Sequence, residues 1–228
     1  MAAWEAGVDL IGLVFAPSRR KITLEQGARI VTIVKDRIPM PDQKYPFQMI
    51  GLEPARPMTR PWETMPSTPA FVGVFVNQSY DEIMRTVESC RLDYVQLHGD
   101  ETPEFCRQLG VPVIKAVRPV EPQDAAECKE YVSAGALLLF DTYAADSYGG
   151  TGVLGNWALA AELAQLYPLI LAGGLDPENV AAAIRIVQPW GVDVSSGVET
   201  FGSKDLEKIR SFLQAVHSTA GPAHDRLP

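Results

Sequence analysis

The chain has 228 residues, 46% of them hydrophobic and 21% charged, enough to bury a full core and close to the roughly 250 residues of one α/β barrel. Its formal net charge of -8 and pI near 4.9 exclude a broadly basic surface for nucleic acid or anionic membrane, while a local phosphate pocket made of backbone N–H groups stays compatible with them. Cys90, Cys106 and Cys128 are odd in number and in no metal-ligand spacing, which suits a reducing compartment, by default the cytoplasm, better than a disulfide framework.

Met1 to Gly7 carries acidic Glu5 and no basic region followed by an apolar run, and no stretch reaches the ~20 apolar residues of a membrane span. Met1 to Ala6 reads as the last turns of a helix closed by Gly7. Short apolar runs follow at Asp9 to Phe15, Phe71 to Val76, Tyr94 to His98, Val113 to Val117, Leu137 to Phe140, Leu169 to Leu171 and Val192 to Val194, and they read as buried parallel strands. Between them, Ser79 to Cys90, Pro103 to Leu109, Pro122 to Ser133, Trp157 to Leu166, Pro177 to Val187 and Ser203 to Val216 repeat their apolar residues every three or four positions. They read as crossover helices. From about 36 to 70 the chain is loaded with proline, from Pro39 to Pro69, and an irregular surface insert is expected there. The expectation is one domain, 1–228, of the α/β class.

Periodicity alone leaves a closed barrel and a doubly wound sheet both open. Chemistry at the strand ends favours the barrel, whose active sites lie at that face: Arg19 and Arg20, His98 and Gly99, Arg118, Asp141, Gly173 and Gly174, and Ser195 to Gly197 each follow a strand. In Leu171 to Asn179 a strand runs into two glycines, then Asp176 as N-cap and Pro177 at the first helical position. Asp193 to Glu199 closes the last strand. Barrels commonly bind phosphate on the loops of their two final strands, with backbone N–H groups and a helix N-terminus. Asp141 reads either as a loop carboxylate or as a general acid at an apolar barrel mouth. Tyr148 to Gly152 reads as a connection able to close over a ligand. Arg19 or Arg20 can take a carboxylate or phosphate bidentately, or remain solvated. His98 either orients a ligand or satisfies a backbone carbonyl.

These residues resemble a known family in order and spacing. Phe15-Ala16-Pro17-Ser18-Arg19-Arg20, Gly73-Val74-Phe75-Val76-Asn77, Val95-Gln96-Leu97-His98-Gly99, Ile114-Lys115-Ala116-Val117, Leu139-Phe140-Asp141-Thr142, Gly149-Gly150-Thr151-Gly152, Ala172-Gly173-Gly174-Leu175 and Val192 to Glu199 are similar to the motifs of phosphoribosylanthranilate isomerase. The resemblance implies a (β/α)8 TIM barrel and an Amadori rearrangement of N-(5-phosphoribosyl)anthranilate to the corresponding 1-deoxyribulose 5-phosphate in tryptophan biosynthesis, without cofactor or metal. It implies Asp141 as the acid that opens the ribose ring, and Arg20 as the contact to the anthranilate part. His98 and Asp193 fall near the substrate, with Gly150, Gly173, Gly174, Ser195, Ser196 and Gly197 around its phosphate. In fungi such proteins often form the C-terminal part of a multifunctional polypeptide with other tryptophan biosynthesis units, so a fused or associated partner is among the expectations.

One element of the family pattern has no counterpart. The family's base is a cysteine on a first strand reading Lys-Ile-Cys-Gly, and this sequence offers seven strand candidates where a barrel needs eight. The expectation is an impaired enzyme with two exposed sheet edges and poor solubility. A missed upstream segment, a fragment of a fused polypeptide and a divergent non-catalytic relative all account for it. Two alternatives stand beside it: another phosphate-binding barrel, such as indole-glycerol-phosphate synthase or ribulose-phosphate epimerase, whose strand-end lysine and glutamates or metal-binding histidines the set Arg20, His98, Arg118 and Asp141 does not match, and a non-catalytic remnant that binds phosphate or a partner.

Overall fold

The computed structural model describes residues 2–36, 69–119, 125–142 and 156–219. Most of the proline-rich insert and the loop Tyr148 to Gly152 lie outside them. In chain order the elements are α1 (Ala2–Glu5), β1 (Leu10–Val14), α2 (Leu24–Lys35), β2 (Ala70–Phe75), α3 (Tyr80–Cys90), β3 (Tyr94–Leu97), α4 (Pro103–Gln108), β4 (Val113–Val117) and α5 (Ala125–Ser133). They continue with β5 (Leu137–Asp141), α6 (Trp157–Leu166), β6 (Leu169–Ala172), α7 (Val180–Val187), β7 (Gly191–Val192), β8 (Glu199–Thr200), β9 (Ser203–Lys204) and α8 (Leu206–Thr219). Two compact units partition the chain, the first being Val8–Lys115 with Ser133–Ala136, the second Ala2–Gly7, Ala116–Val132 and Leu137–Pro228.

In the first unit β1 pairs with β2, β2 with β3 and β3 with β4, all parallel, with Ile11 beside Phe71, Gly73 beside Val95 and Leu97 beside Lys115. β2 and β4 are buried along nearly their whole length, as parallel strands covered on both faces must be. Helix α2 starts where the Thr23 hydroxyl accepts the Gln26 N–H and the Gln26 side chain takes the Thr23 N–H. Helix α3 starts on the same reciprocal cap between Ser79 and Glu82. α3 buries Ile83, Thr86 and Cys90, one stripe of the helix. Gly27 lets α2 approach closely, since a Cβ there would stand 2.9 Å from the Phe15 ring and 3.0 Å from Cys90 Sγ. Phe15 stacks on Phe75 with ring centroids 5.6 Å apart.

The second unit pairs β5 with β6 and β6 with β7, again parallel, with Phe140 beside Leu171 and Leu171 beside Val192. Helices α6, α7 and α8 bury Leu159 and Leu163, Val180 and Val187, and Ile209 and Phe212. At the chain start α1 ends as expected: the Gly7 N–H bonds the Trp4 carbonyl, and Gly7 takes φ +84.

Of the boundaries that differ from the sequence reading, two lie after β6 and bear on the loops there. The last strand is only Gly191–Val192, after which the Asp193 N–H makes one more bond to the Leu171 carbonyl and the chain turns away. Ser203, expected to open a helix, instead pairs back on Thr200 in the β8–β9 hairpin. The helix waits for Asp205, whose Oδ1 accepts the N–H groups of Glu207 and Lys208 while Oδ2 accepts the Thr200 hydroxyl. The hairpin turn places Phe201 at φ +51 and Gly202 at φ +80, the two left-handed positions of a turn that favours Asn-Gly. Phe201 is fully exposed, so nothing offsets its steric cost. Phe201→Asn is expected to raise stability by about 0.5–1 kcal/mol, read as a higher urea midpoint at unchanged slope.

Candidate active site

In the first unit the chain leaving β1 stays on the sheet for two more residues, because the N–H groups of Phe15 and Ala16 both bond the Val74 carbonyl. A turn then forms: the Ser18 hydroxyl accepts the Arg20 N–H at 3.1 Å, and the Ile22 N–H returns to the Val14 carbonyl. Arg20 is thereby held half-buried just past the strand end, with Arg19 exposed beside it.

His98 follows β3 and bonds the Phe75 carbonyl through its backbone N–H. Gln96 and His98 share a face of the strand, and the Gln96 amide nitrogen lies 3.1 Å from His98 Nδ1. With the amide donating, Nδ1 accepts and Nε2 carries the ring hydrogen. Sequence reasoning passed over the groups beneath this residue. Lys115 and Glu101 are 2% and 6% exposed and pair at 3.1 Å. The signal was present, a lysine inside the apolar strand Val113 to Val117, because a charge is almost never buried unpaired.

In the second unit Asp141 is the last residue of β5, its side chain 14% exposed, with Arg118 Nε 3.4 Å from Oδ2. The neighbouring Thr142 ties the ends of β5 and β6 together: its hydroxyl donates to the carbonyls of Ala172 and Gly173 at 3.0 and 2.8 Å. Gly173 and Gly174 take φ +89 and +65, a conformation open mainly to glycine. The loop is then closed by Asn179, which donates to the Gly174 carbonyl and accepts the Asp176 N–H. Asp176 Oδ1 accepts the N–H groups of Glu178 and Asn179, so the first helical turn starts on the expected cap although regular α7 begins at Val180.

Beyond β7, Asp193 is exposed and Ser196–Val198 forms a single 3-10 turn. Lys204 Nζ bonds the Ser195 carbonyl at 2.7 Å. Gly197 packs against the other glycine loop, where a Cβ would lie 1.9 Å from the Leu175 carbonyl oxygen and 3.0 Å from Asp176 Cα. Gly173, Gly174, Ser195, Ser196 and Gly197 thus belong to two loops in direct backbone contact. Gly150 lies outside the described residues.

None of the three cysteines ends a strand. Cys90, Cys106 and Cys128 sit on α3, α4 and α5 and are all buried. Burial pushes the Cys90 thiol up, and it pushes the Cys106 thiol from 9.0 up to about 11. A thiol-reactive disulfide reagent is expected to titrate no thiol in the native chain and three after denaturation. Because the Cys106 value is raised on folding, its contribution to stability is complete below pH 9.0 and is lost as the pH climbs toward 11. Among the described residues no group of His, Cys, Asp and Glu could hold a metal ion, and no helix is long and apolar enough to cross a membrane.

The family model described as N-(5'phosphoribosyl)anthranilate (PRA) isomerase matches residues 51–215. The N-(5'-phosphoribosyl)anthranilate isomerase of Myxococcus xanthus is 44% identical over 223 residues, which is 96% of this chain and 90% of that protein. A multifunctional tryptophan biosynthesis protein of Phycomyces blakesleeanus is 38% identical over 241 residues, 93% of this chain and 30% of that longer protein. The crystal structure of phosphoribosyl anthranilate isomerase from Thermotoga maritima matches with a TM-score of 0.74 and 33% identity, covering 95% of this chain and 92% of that one. The fold is therefore the (β/α)8 barrel class, with a seven-stranded parallel sheet, β1 to β7, among the described residues. On this identity across nearly its whole length, the chain belongs to the N-(5'-phosphoribosyl)anthranilate isomerase family.

Proposed function

We propose that this protein performs the Amadori rearrangement of N-(5-phosphoribosyl)anthranilate to 1-(2-carboxyphenylamino)-1-deoxyribulose 5-phosphate, as one cytoplasmic barrel domain spanning 1–228. The observation that carries the reading is Asp141, a half-buried carboxyl at the end of β5 in a chain of this family. In the proposed first step Asp141 gives its proton to the ribose ring oxygen, the C1–O bond breaks, and the amine nitrogen's lone pair forms the C=N bond. A base then takes the C2 proton to give an enolamine with a C1=C2 bond, which gains a proton at C1 as its C2 hydroxyl loses one, giving the ketose. Arg20 is assigned to the anthranilate carboxylate, which a guanidinium can meet bidentately. His98 and Asp193 are assigned to the sugar. Gly173, Gly174, Ser195, Ser196, Gly197 and Gly150 are assigned to the phosphate, where backbone N–H groups carry the anion. The length of the Phycomyces relative supports association with, or fusion to, other tryptophan biosynthesis units.

A second reading, phosphate-ester binding without turnover, is favoured by one observation: no cysteine stands at the end of a described strand. Turnover separates the two, followed as loss of the substrate's fluorescence in a chain given an appended Lys-Ile-Cys-Gly strand ahead of Met1. Product formation supports the isomerase. A folded, product-binding protein without turnover supports the second reading.

A further inference from the structure

The buried pair Lys115 and Glu101 is the one strongly desolvated ion pair among the described residues, its side chains each 3% exposed. Such a pair is weak evidence for stability, because desolvation offsets most of the attraction and apolar residues of similar volume often do as well. What distinguishes this pair is where its remaining hydrogen bonds go. Lys115 Nζ donates to the Gly99 carbonyl. Glu101 Oε2 accepts the Gly99 N–H at 3.0 Å, and Oε1 accepts the Asn77 N–H at 2.8 Å. Both backbone groups of the residue after His98 are therefore held by one ion pair. Asn77 closes the clamp from β2's end: it adopts φ +54, and its Oδ1 accepts the Asp100 N–H at 2.7 Å. Gly99 fits only because it has no side chain, since a Cβ would stand 2.3 Å from Asn77 Oδ1.

We infer that Lys115 and Glu101 are positioning residues that fix the Gly99 peptide groups and thereby set the His98 ring for the substrate. The inference rests on the assignment of His98 to substrate binding. Lys115 touches no reacting atom in this account; it acts through Gly99. The Gln96 amide then holds the ring from the other side, so that the ring is anchored both at its backbone and at Nδ1. A few tenths of an ångström of freedom at Gly99 would be passed directly to the ring, and misplacement by an ångström can cost on the order of 10²-fold.

The test replaces both charges at once, E101M with K115M, in the full chain, because the double replacement leaves no orphaned buried charge. Three quantities are read: the melting temperature, the affinity for 1-(2-carboxyphenylamino)-1-deoxyribulose 5-phosphate by calorimetry, and the ¹⁵N signals of the His98 ring in buffer near pH ~8.5, where imidazoles are neutral. His98 is assigned by comparison with H98N. The expected result is a melting temperature close to the parent's, product affinity lower by about 10- to 10²-fold, and a ring that changes from one Nε2–H tautomer to a mixture. Parent-like affinity and ring signals in the folded double variant would overturn the inference. Should the double variant not fold, E101D carries the test with the same three readouts, since it keeps a carboxylate for Lys115 while its shorter side chain no longer spans both the Gly99 and Asn77 N–H groups. An unchanged affinity in H98N would instead sink the assignment of His98, and the ring signals of the double variant would still decide whether the pair positions it.

Discussion

In a chain extended ahead of Met1 by a Lys-Ile-Cys-Gly strand and its connecting helix turns, Asp141→Asn is expected to lower isomerase kcat by about 10²- to 10⁴-fold. That is roughly 3–5 kcal/mol of barrier. The amide keeps the shape of the carboxyl but has no proton to give the ribose oxygen. The strand itself is expected to raise turnover by a similar factor over the chain without it, because a positioned base contributes as much as a positioned acid. None of the chain's own thiols can stand in. Cys90 and Cys106 are shielded on α3 and α4, with burial holding both above their ordinary values, and Cys128 is buried on α5. A thiolate forms where positive charge and access favour it. Ring-opening activity that survives Asp141→Asn at the parental rate would remove Asp141 from the mechanism. Restored turnover that disappears with the substitution would assign both halves of the proton traffic.

How far these groups were legible in the sequence depends on what kind of contact makes them. The first six strands show as apolar runs because both faces of a parallel strand are covered, so β2, β4 and β6 are buried almost throughout. The seventh is two residues long and half-buried, too short for periodicity to delimit. The misplaced start of α8 came from reading Ser203 as a helix opener, although Asp205 offers the stronger cap and Phe201-Gly202 a turn. Strand-end positions such as Asp141 and His98 were visible because chain order alone puts them there. Their partners were not. Glu101 lies 14 residues from Lys115, and Arg118 lies 23 from Asp141, and no helical or strand period links such positions. Pairing of that kind is decided by which strands lie side by side, a property of the sheet and not of any one segment. The same limit applies to glycines: a sequence shows that Gly197 follows two serines, but not what presses against it.

Gly197→Ala is the second large effect to expect, and it separates a loop that holds phosphate from one that merely connects. The added methyl would sit 1.9 Å from the Leu175 carbonyl oxygen and 2.9 Å from its carbonyl carbon. Both are backbone atoms, so no rotamer change relieves the overlap, and the two glycine loops must part. Overpacking in well-ordered surroundings costs about 1–3 kcal/mol of stability, here centred on Leu175, which is itself buried at 3% exposure. If the N–H groups of these loops cradle the phosphate, parting them also costs affinity, because an anion held by several fixed dipoles loses them together. Product affinity is therefore expected to fall by more than about tenfold, equivalent to roughly 1.4 kcal/mol, with the variant still folded by circular dichroism. Gly12→Ala supplies the control: it lies in β1, and its Cβ would meet only Val74 Cγ2 at 3.9 Å, an ordinary contact, so stability and affinity should stay near the parent's. Equal affinity in Gly197→Ala and Gly12→Ala would mean that the β6 and β7 loops do not carry the phosphate. A selective loss in Gly197→Ala that inorganic phosphate binding reproduces would place the anion, rather than the anthranilate end, between them.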